Sequence, residues 1–173
     1  MARLPFEAAA VGGLSTPIWT WPVDAAAAWV RGAVVIDDGS GELVEGGADP
    51  TLIAGIATST YPPTNNYATD VGKFIPALPG QLFEGSIDNN GDLGNGVTTA
   101  TMLGESFGIT QDSAGIWYVD VAKTVGAGAT AVRVRLAKFV DPAATVQGRV
   151  RFVFLSVIDV GGTPTIATLW AGT

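Results

Sequence analysis

Short apolar stretches in this chain are cut apart by glycine, proline, asparagine and aspartate, and that punctuation leaves room for strands but not for helices. With 23 Gly and 10 Pro in 173 residues, no helical periodicity runs far enough to sustain a long helix. Apolar runs of this length, bounded by turn residues, predict an all-β fold, a small antiparallel barrel or sandwich. Val30 to Ile36 reads as a strand, turned back at Asp37-Asp38-Gly39-Ser40-Gly41 toward Leu43-Val44. Leu52 to Ala57 follows, then a loop with Pro62-Pro63 and Asn65-Asn66, then shorter pieces at Lys73 to Leu78 and Gln81 to Ile87. The clearest period of two lies later, where Val132, Val134 and Leu136 alternate with Arg133, Arg135 and Ala137. Ile116 to Val121 and Arg149 to Val157 repeat the pattern. Phe152-Val153-Phe154-Leu155 is apolar on both faces and must be covered on both. The three long strands between Ile116 and Ile158 read as a meander. No repeat period is visible.

Residues 1–22 show neither period. They carry Pro5, Pro17, Pro22 and the Gly12-Gly13 pair among the apolar side chains Leu4, Phe6, Leu14, Ile18, Trp19 and Trp21. This predicts an extended N-terminal arm, followed by a β-barrel or sandwich domain over 23–160 and a C-terminal strand or tail over 161–173. Asp24 is placed to cap a short helical turn over Ala25 to Ala28. Ordering each arm residue costs about 1 to 2 kcal/mol, and burying one aromatic side chain returns at most about 4 to 6 kcal/mol. The arm is therefore expected to be loose alone and to dock on a partner as an added strand or in a groove. Leu4, Phe6, Ile18, Trp19 and Trp21 would be its contacts.

The chain has no cysteine and no histidine. Disulfides, thiolate and imidazole metal ligands and the commonest general base are all removed. A net charge of -7 argues against nucleic acid as the main partner, because counterion release needs clustered Lys and Arg. No apolar run approaches the ~18 residues of a membrane span. Glu7, Pro5 and the Gly12-Gly13 pair break up any signal-like stretch, so synthesis in the cytoplasm is the expectation. With 47% hydrophobic and only 14% charged residues, some exposed apolar surface is expected to be covered in an assembly. Charge is also uneven: up to Asp112 three basic residues face thirteen acidic ones, and beyond it six face three. Arg133, Arg135, Arg149 and Arg151 are thus candidates for a subunit interface, weighed against ordinary solvated strand faces.

Four motifs suggest chemistry and each has a plainer reading. Gly104-Glu105-Ser106-Phe107-Gly108 fits the nucleophile-elbow pattern. Its serine lacks a histidine base, and nothing in the sequence brings Lys73 or Lys123 to it, so a turn before a strand at Phe107 to Thr110 is the favoured reading. Asp88-Asn89-Asn90-Gly91-Asp92 spaces oxygen ligands like a calcium loop, but Leu93 and Thr99 stand where that loop needs glycine and glutamate; Asn90-Gly91 reads instead as a hairpin turn. Gly126 to Ala131 resembles a dinucleotide fingerprint, yet a strand follows it where a helix is required. Asp37-Asp38 is explained by turn chemistry rather than by glycoside cleavage. No catalytic residue, metal or cofactor is expected. The five tryptophans, Trp19, Trp21, Trp29, Trp117 and Trp170, keep open a sugar-stacking role against the commoner packing role, with Trp117 expected in the core.

Several stretches together resemble the head decoration, or capsid cement, proteins of tailed bacteriophages. They are Val30 to Val35, the turn Asp37 to Gly41, Leu52 to Ala57, Leu82-Phe83-Glu84-Gly85, Gly104 to Ile109, Gly115 to Asp120 and Gly148 to Val153. The resemblance implies a β-tulip-like barrel, often a homotrimer, seated on the outer surface of the expanded capsid. There it would bridge major capsid protein subunits through an N-terminal arm, many weak contacts adding by avidity. The alternatives are a tail- or fibre-associated β module that binds glycans through exposed tryptophan, and a hydrolase built on Ser106.

Overall fold

The computed structural model describes residues 5–9, 16–47, 50, 52–62, 71–90, 93–124, 133–159 and 163–166. Among these the chain is nearly all β, with one 3-10 turn at Ala100–Met102. A short strand β1 (Glu7–Ala8) comes first. Five strands then form one sheet: β2 (Trp19–Pro22), β3 (Val34–Asp37), β4 (Leu43–Glu45), β5 (Gly55–Ala57) and β6 (Val71–Pro76), in lateral order β2-β6-β5-β3-β4. Its two ends meet, because Val23 bridges in parallel to Leu43 and the Asp24 N–H donates to the Leu43 carbonyl at 3.2 Å. Five more strands follow: β7 (Phe83–Asp88), β8 (Ser106–Gln111), β9 (Trp117–Thr124), β10 (Val134–Phe139) and β11 (Arg149–Phe154). Their order is β7-β11-β10-β8-β9, and β9 returns to β7 in parallel through Ile87↔Val119 and Asp88↔Asp120, closing a barrel. A separate two-stranded ribbon, β12 (Ser156–Asp159) with β13 (Thr163–Ile166), ends the described chain.

The two halves share one topology. Within each unit the strands run first, fifth, fourth, second, third, and each unit closes by a parallel contact between its first and third strands. The second and third strands pair in the same register: Val35↔Glu45 and Asp37↔Leu43 in the first unit, Ile109↔Val119 and Gln111↔Trp117 in the second. Even the turn chemistry recurs. Asp38 Oδ1 accepts the Ser40 and Glu42 N–H groups at 2.8 and 3.3 Å, and Asp112 Oδ1 accepts those of Ala114 and Ile116 at 2.8 and 2.9 Å. Each turn ends on a glycine in the left-handed region, Gly41 at φ 90° and Gly115 at φ 81°. Both turns meet the same requirement, an Asx-turn followed by a left-handed glycine, with the same Asp-x-x-Gly spacing, while the strands on either side differ in sequence.

One apolar core runs through both units, with Val34, Leu43, Ile56 and Phe74 in the first and Phe83, Ile109, Trp117, Leu136 and Phe152 in the second. Polar contacts tie the units together. Glu45 accepts from Gln111 Nε2 at 2.6 Å and from the Trp117 indole at 3.3 Å, and the Arg133 guanidinium donates to the Pro50 carbonyl.

Several expectations need correction. Strands β9, β10 and β11 are not a simple meander, since β10 lies between β8 and β11 and does not neighbour β9. Asn90 does not turn a hairpin, because β7 and β8 are not adjacent. Asp24 starts only a turn, with its Oδ1 accepting the Ala26 N–H. The described parts of the leading segment, residues 5–9 and 16–22, are extended and lie on this chain's own body. Trp19 and Trp21 belong to β2 and pack against the core, and Phe6 is 2% exposed. Phe6 lies over Gly85, where an added Cβ would meet its ring at 2.2 Å, and its ring centre is 4.9 Å from that of Phe152. Pro5 and the Phe6 backbone cross Gly32 of the first unit, so this short piece pins both halves. Ile18, by contrast, is 59% exposed. Leu4, Gly12-Gly13, Asn65-Asn66, Gly126 to Ala131 and Trp170 lie outside the described residues.

Replacing Gly85 with Ala in the natural chain is expected to destabilise it by about 1 to 3 kcal/mol through overpacking against Phe6. In a Phe6→Ala background the same change should cost far less. Denaturant unfolding of the four proteins of this cycle reads the coupling, and additive effects would mean that Phe6 is not seated on Gly85.

Candidate functional site

The densest polar cluster sits where the second unit closes. Asp88 and Asp120 are register partners on the parallel strands β7 and β9, and both are fully buried. Asp88 accepts the N–H groups of Asn89, Gly94 and Gly96 at 2.8, 2.9 and 3.2 Å, and Gln147 Nε2 at 2.8 Å. Gly96 is required there, because a Cβ would stand 2.4 Å from the Asp88 Cα. Gln147 takes an unusual positive φ of 51° to reach the carboxylate. Asp120 accepts from Thr110 Oγ1 at 2.9 Å and from the Asn90 and Ala122 N–H groups at 3.2 and 3.0 Å, with Lys123 Nζ at 3.9 Å. Burial pushes the Asp88 pKa up, but the bonds from Gln147 and the three backbone N–H groups outweigh it and hold the carboxyl below its ordinary value. Donors already surround these oxygens and would present their positive ends to any cation. The cluster fits a loop anchor and not a calcium site; Asp92 lies outside the described residues.

A second group of carboxylates, Asp24, Asp38 and Glu42, gathers where the first unit closes, with oxygens within 4.8 Å of one another. Asp38 is fully solvated and its pKa is lowered by its own turn, chiefly through the Ser40 hydroxyl and N–H. Asp37 is likewise taken up by the Gly39 and Gly41 N–H groups at 2.7 and 3.2 Å, which matches the turn reading.

Ser106 opens β8 opposite Arg135. Lys73 lies on β6 of the other unit, and the Lys123 ammonium reaches Asp120 and the Ile109 carbonyl. The described tryptophans serve packing. Trp29 and Trp117 are buried, Trp29 stacks on Tyr61 at 5.0 Å, and Trp21 gives its indole N–H to the Gly41 carbonyl at 2.8 Å.

The four arginines split in two. Arg149 forms a two-point pair with Asp141, its Nη2 at 2.9 Å and Nε at 3.2 Å, and also meets Glu84 at 3.4 Å; Arg151 reaches the other Glu84 oxygen at 3.3 Å. Arg133 is buried on Pro50, and Arg135 donates to the Gly104 carbonyl at 2.7 Å while staying half exposed. The excess basic charge of the second half is therefore largely engaged within the chain. Sequence reading missed Glu84, although a glutamate on a strand facing alternating arginines is the available signal, and it missed Gln147, for which no local signal exists.

With its folded pKa depressed, Asp88 contributes stability that is complete above about 3.8, its ordinary value, and is lost as pH falls through the lower folded value. Asp141, held down chiefly by its hydrogen bonds from Arg149, acts in the same direction. Asp88→Asn should cost about 1 to 3 kcal/mol at neutral pH by stranding buried N–H donors. It should also flatten the loss of stability between neutral pH and acid. Denaturant midpoints across that range test this, and parallel pH profiles for the variant and the natural protein would rule it out.

The sequence matches no family model, and no curated protein and no solved structure matches it.

Proposed function

We propose that this chain is a structural protein of a tailed-phage virion that binds the outer face of the expanded head and stabilises it by bridging major capsid protein subunits. The observation that supports this reading is how the backbone is used. Both five-stranded units close on themselves through short parallel contacts, and among the described residues the edge of β2 around Thr20 and the β12–β13 ribbon are available to pair with something else. Side chains that suggested chemistry are taken up in turns, loop anchors and packing, which suits a protein whose product is a contact. A closed body that still offers strand edges is suited to contacting neighbours, and repetition over a shell turns modest single contacts into firm attachment. Assembly as a homotrimer, bringing three such bodies together, belongs to the same proposal.

Purified protein mixed with undecorated expanded heads should co-sediment with them to a fixed stoichiometry and raise the temperature at which they break open. Failure to bind heads, or binding to surface polysaccharide instead, would overturn the proposal; Ser106→Ala should change neither measurement.

A further inference from the structure

The internal duplication allows one unit to be used as a template for the other. In the second unit, the first strand β7 pairs with β11 along one edge, while its other edge is shared by β1 at the start and β9 at the end. The Ala9 N–H donates to the Leu82 carbonyl at 3.0 Å, and Glu7 faces Glu84. In the first unit the corresponding strand is β2, and aromatic pairs mark the match. Trp19 faces Phe74 with ring centres 6.3 Å apart, as Phe83 faces Phe152 at 6.2 Å. Counting from that match, Ile18 corresponds to Leu82, Thr20 to Glu84 and Trp21 to Gly85.

The counterpart of the site that β1 fills is thus the edge of β2 at Ile18 and Thr20. Pro22 has no N–H, so its pair with Val71 is of the wide, unbonded kind, and alternation then turns the N–H and C=O of Thr20 and Ile18 outward, away from β6. Among the described residues no strand pairs with this edge, and Ile18 and Thr20 are both exposed. Where the second unit has Gly85 beneath Phe6, the first unit has Trp21, which packs its own side chain against the core.

The same chain carries a strand suited to the role. The ribbon β12–β13 belongs to neither unit's sheet, and a lone two-stranded hairpin is marginal in water. Pro164 faces Ile158, which makes that pair wide and turns the N–H and C=O of Ile158 and Ser156 outward on β12; the outer edge of β13 is blunted by the missing Pro164 donor. One open edge on β2 and one on β12 of each copy form a heterologous pair, the kind of contact that joins identical chains head to tail, into a ring where the rotation closes and a filament where it does not. We propose that β12 of a second copy of this chain adds to β2 along Ile18–Thr20, so that the protein self-associates head to tail by strand addition. This does not depend on what the assembled ring binds.

The test uses the 173-residue chain, whose lack of cysteine makes introduced thiols unique. Thr20→Cys combined with Ser156→Cys or Ile158→Cys should give disulfide-linked multimers on mild oxidation. Thr20→Pro, which removes only an outward N–H, should convert the sedimenting oligomer to monomer while leaving thermal unfolding of the body in place. A natural protein that is monomeric at every concentration would overturn the inference. So would an oligomer that ignores Thr20→Pro and forms its disulfides only within one chain. Head binding, measured separately, decides the proposed function without bearing on these outcomes.

Discussion

Everything in this architecture depends on a parallel contact between the first and third strands of each five-stranded unit. An open sheet of five short strands would expose unpaired N–H and C=O groups along both margins and invite uncontrolled pairing. Curling until Val23 meets Leu43, and Ile87 meets Val119, satisfies part of each margin internally and leaves the edge of β2 around Thr20 without a strand partner among the described residues. Closure also creates the interior that the apolar side chains fill, so that ring formation and core formation are one event.

Closure decides where polar residues can go. The parallel junction of β7 and β9 brings Asp88 and Asp120 side by side away from water, which is tolerable only because backbone and side-chain donors surround each carboxylate. The loops that supply those donors are thereby fixed, and the long excursion between β7 and β8, which carries the 3-10 turn at Ala100–Met102, is tied at its start to the Asp88 carboxylate. At the matching junction of the first unit, Asp24, Asp38 and Glu42 remain near the surface, with Asp24 and Asp38 accepting N–H groups from their own turns. Two copies of one topology thus carry different electrostatics at the same place.

Once both rings are shut, association has to use what lies outside them. The segment around Phe6 is spent on the chain's own second unit, filling the hollow over Gly85 and crossing Gly32. Its energetics follow from that hollow: a pre-formed slot shared by both units repays the ordering of five residues, where a solitary arm would not be repaid. The ribbon beyond β11 and the edge of β2 have no such internal slot among the described residues.

The sequence by itself determined the class of fold and much of its local chemistry. Alternation around Arg133 and Arg135 marked a half-buried strand, Asp37-Asp38-Gly39-Ser40-Gly41 marked a tight turn, and the missing histidine left Ser106 without its usual base. These are short-range matters, settled by periodicity and by the φ and hydrogen-bonding habits of single residues. Tertiary structure alone decided which strands became neighbours, that the topology occurs twice, that Phe6 would seat over Gly85, and that Gln147 would travel to Asp88. Each of those depends on contacts between residues far apart along the chain, and strand pairing is read from the closure of the whole sheet, not from any one strand within it.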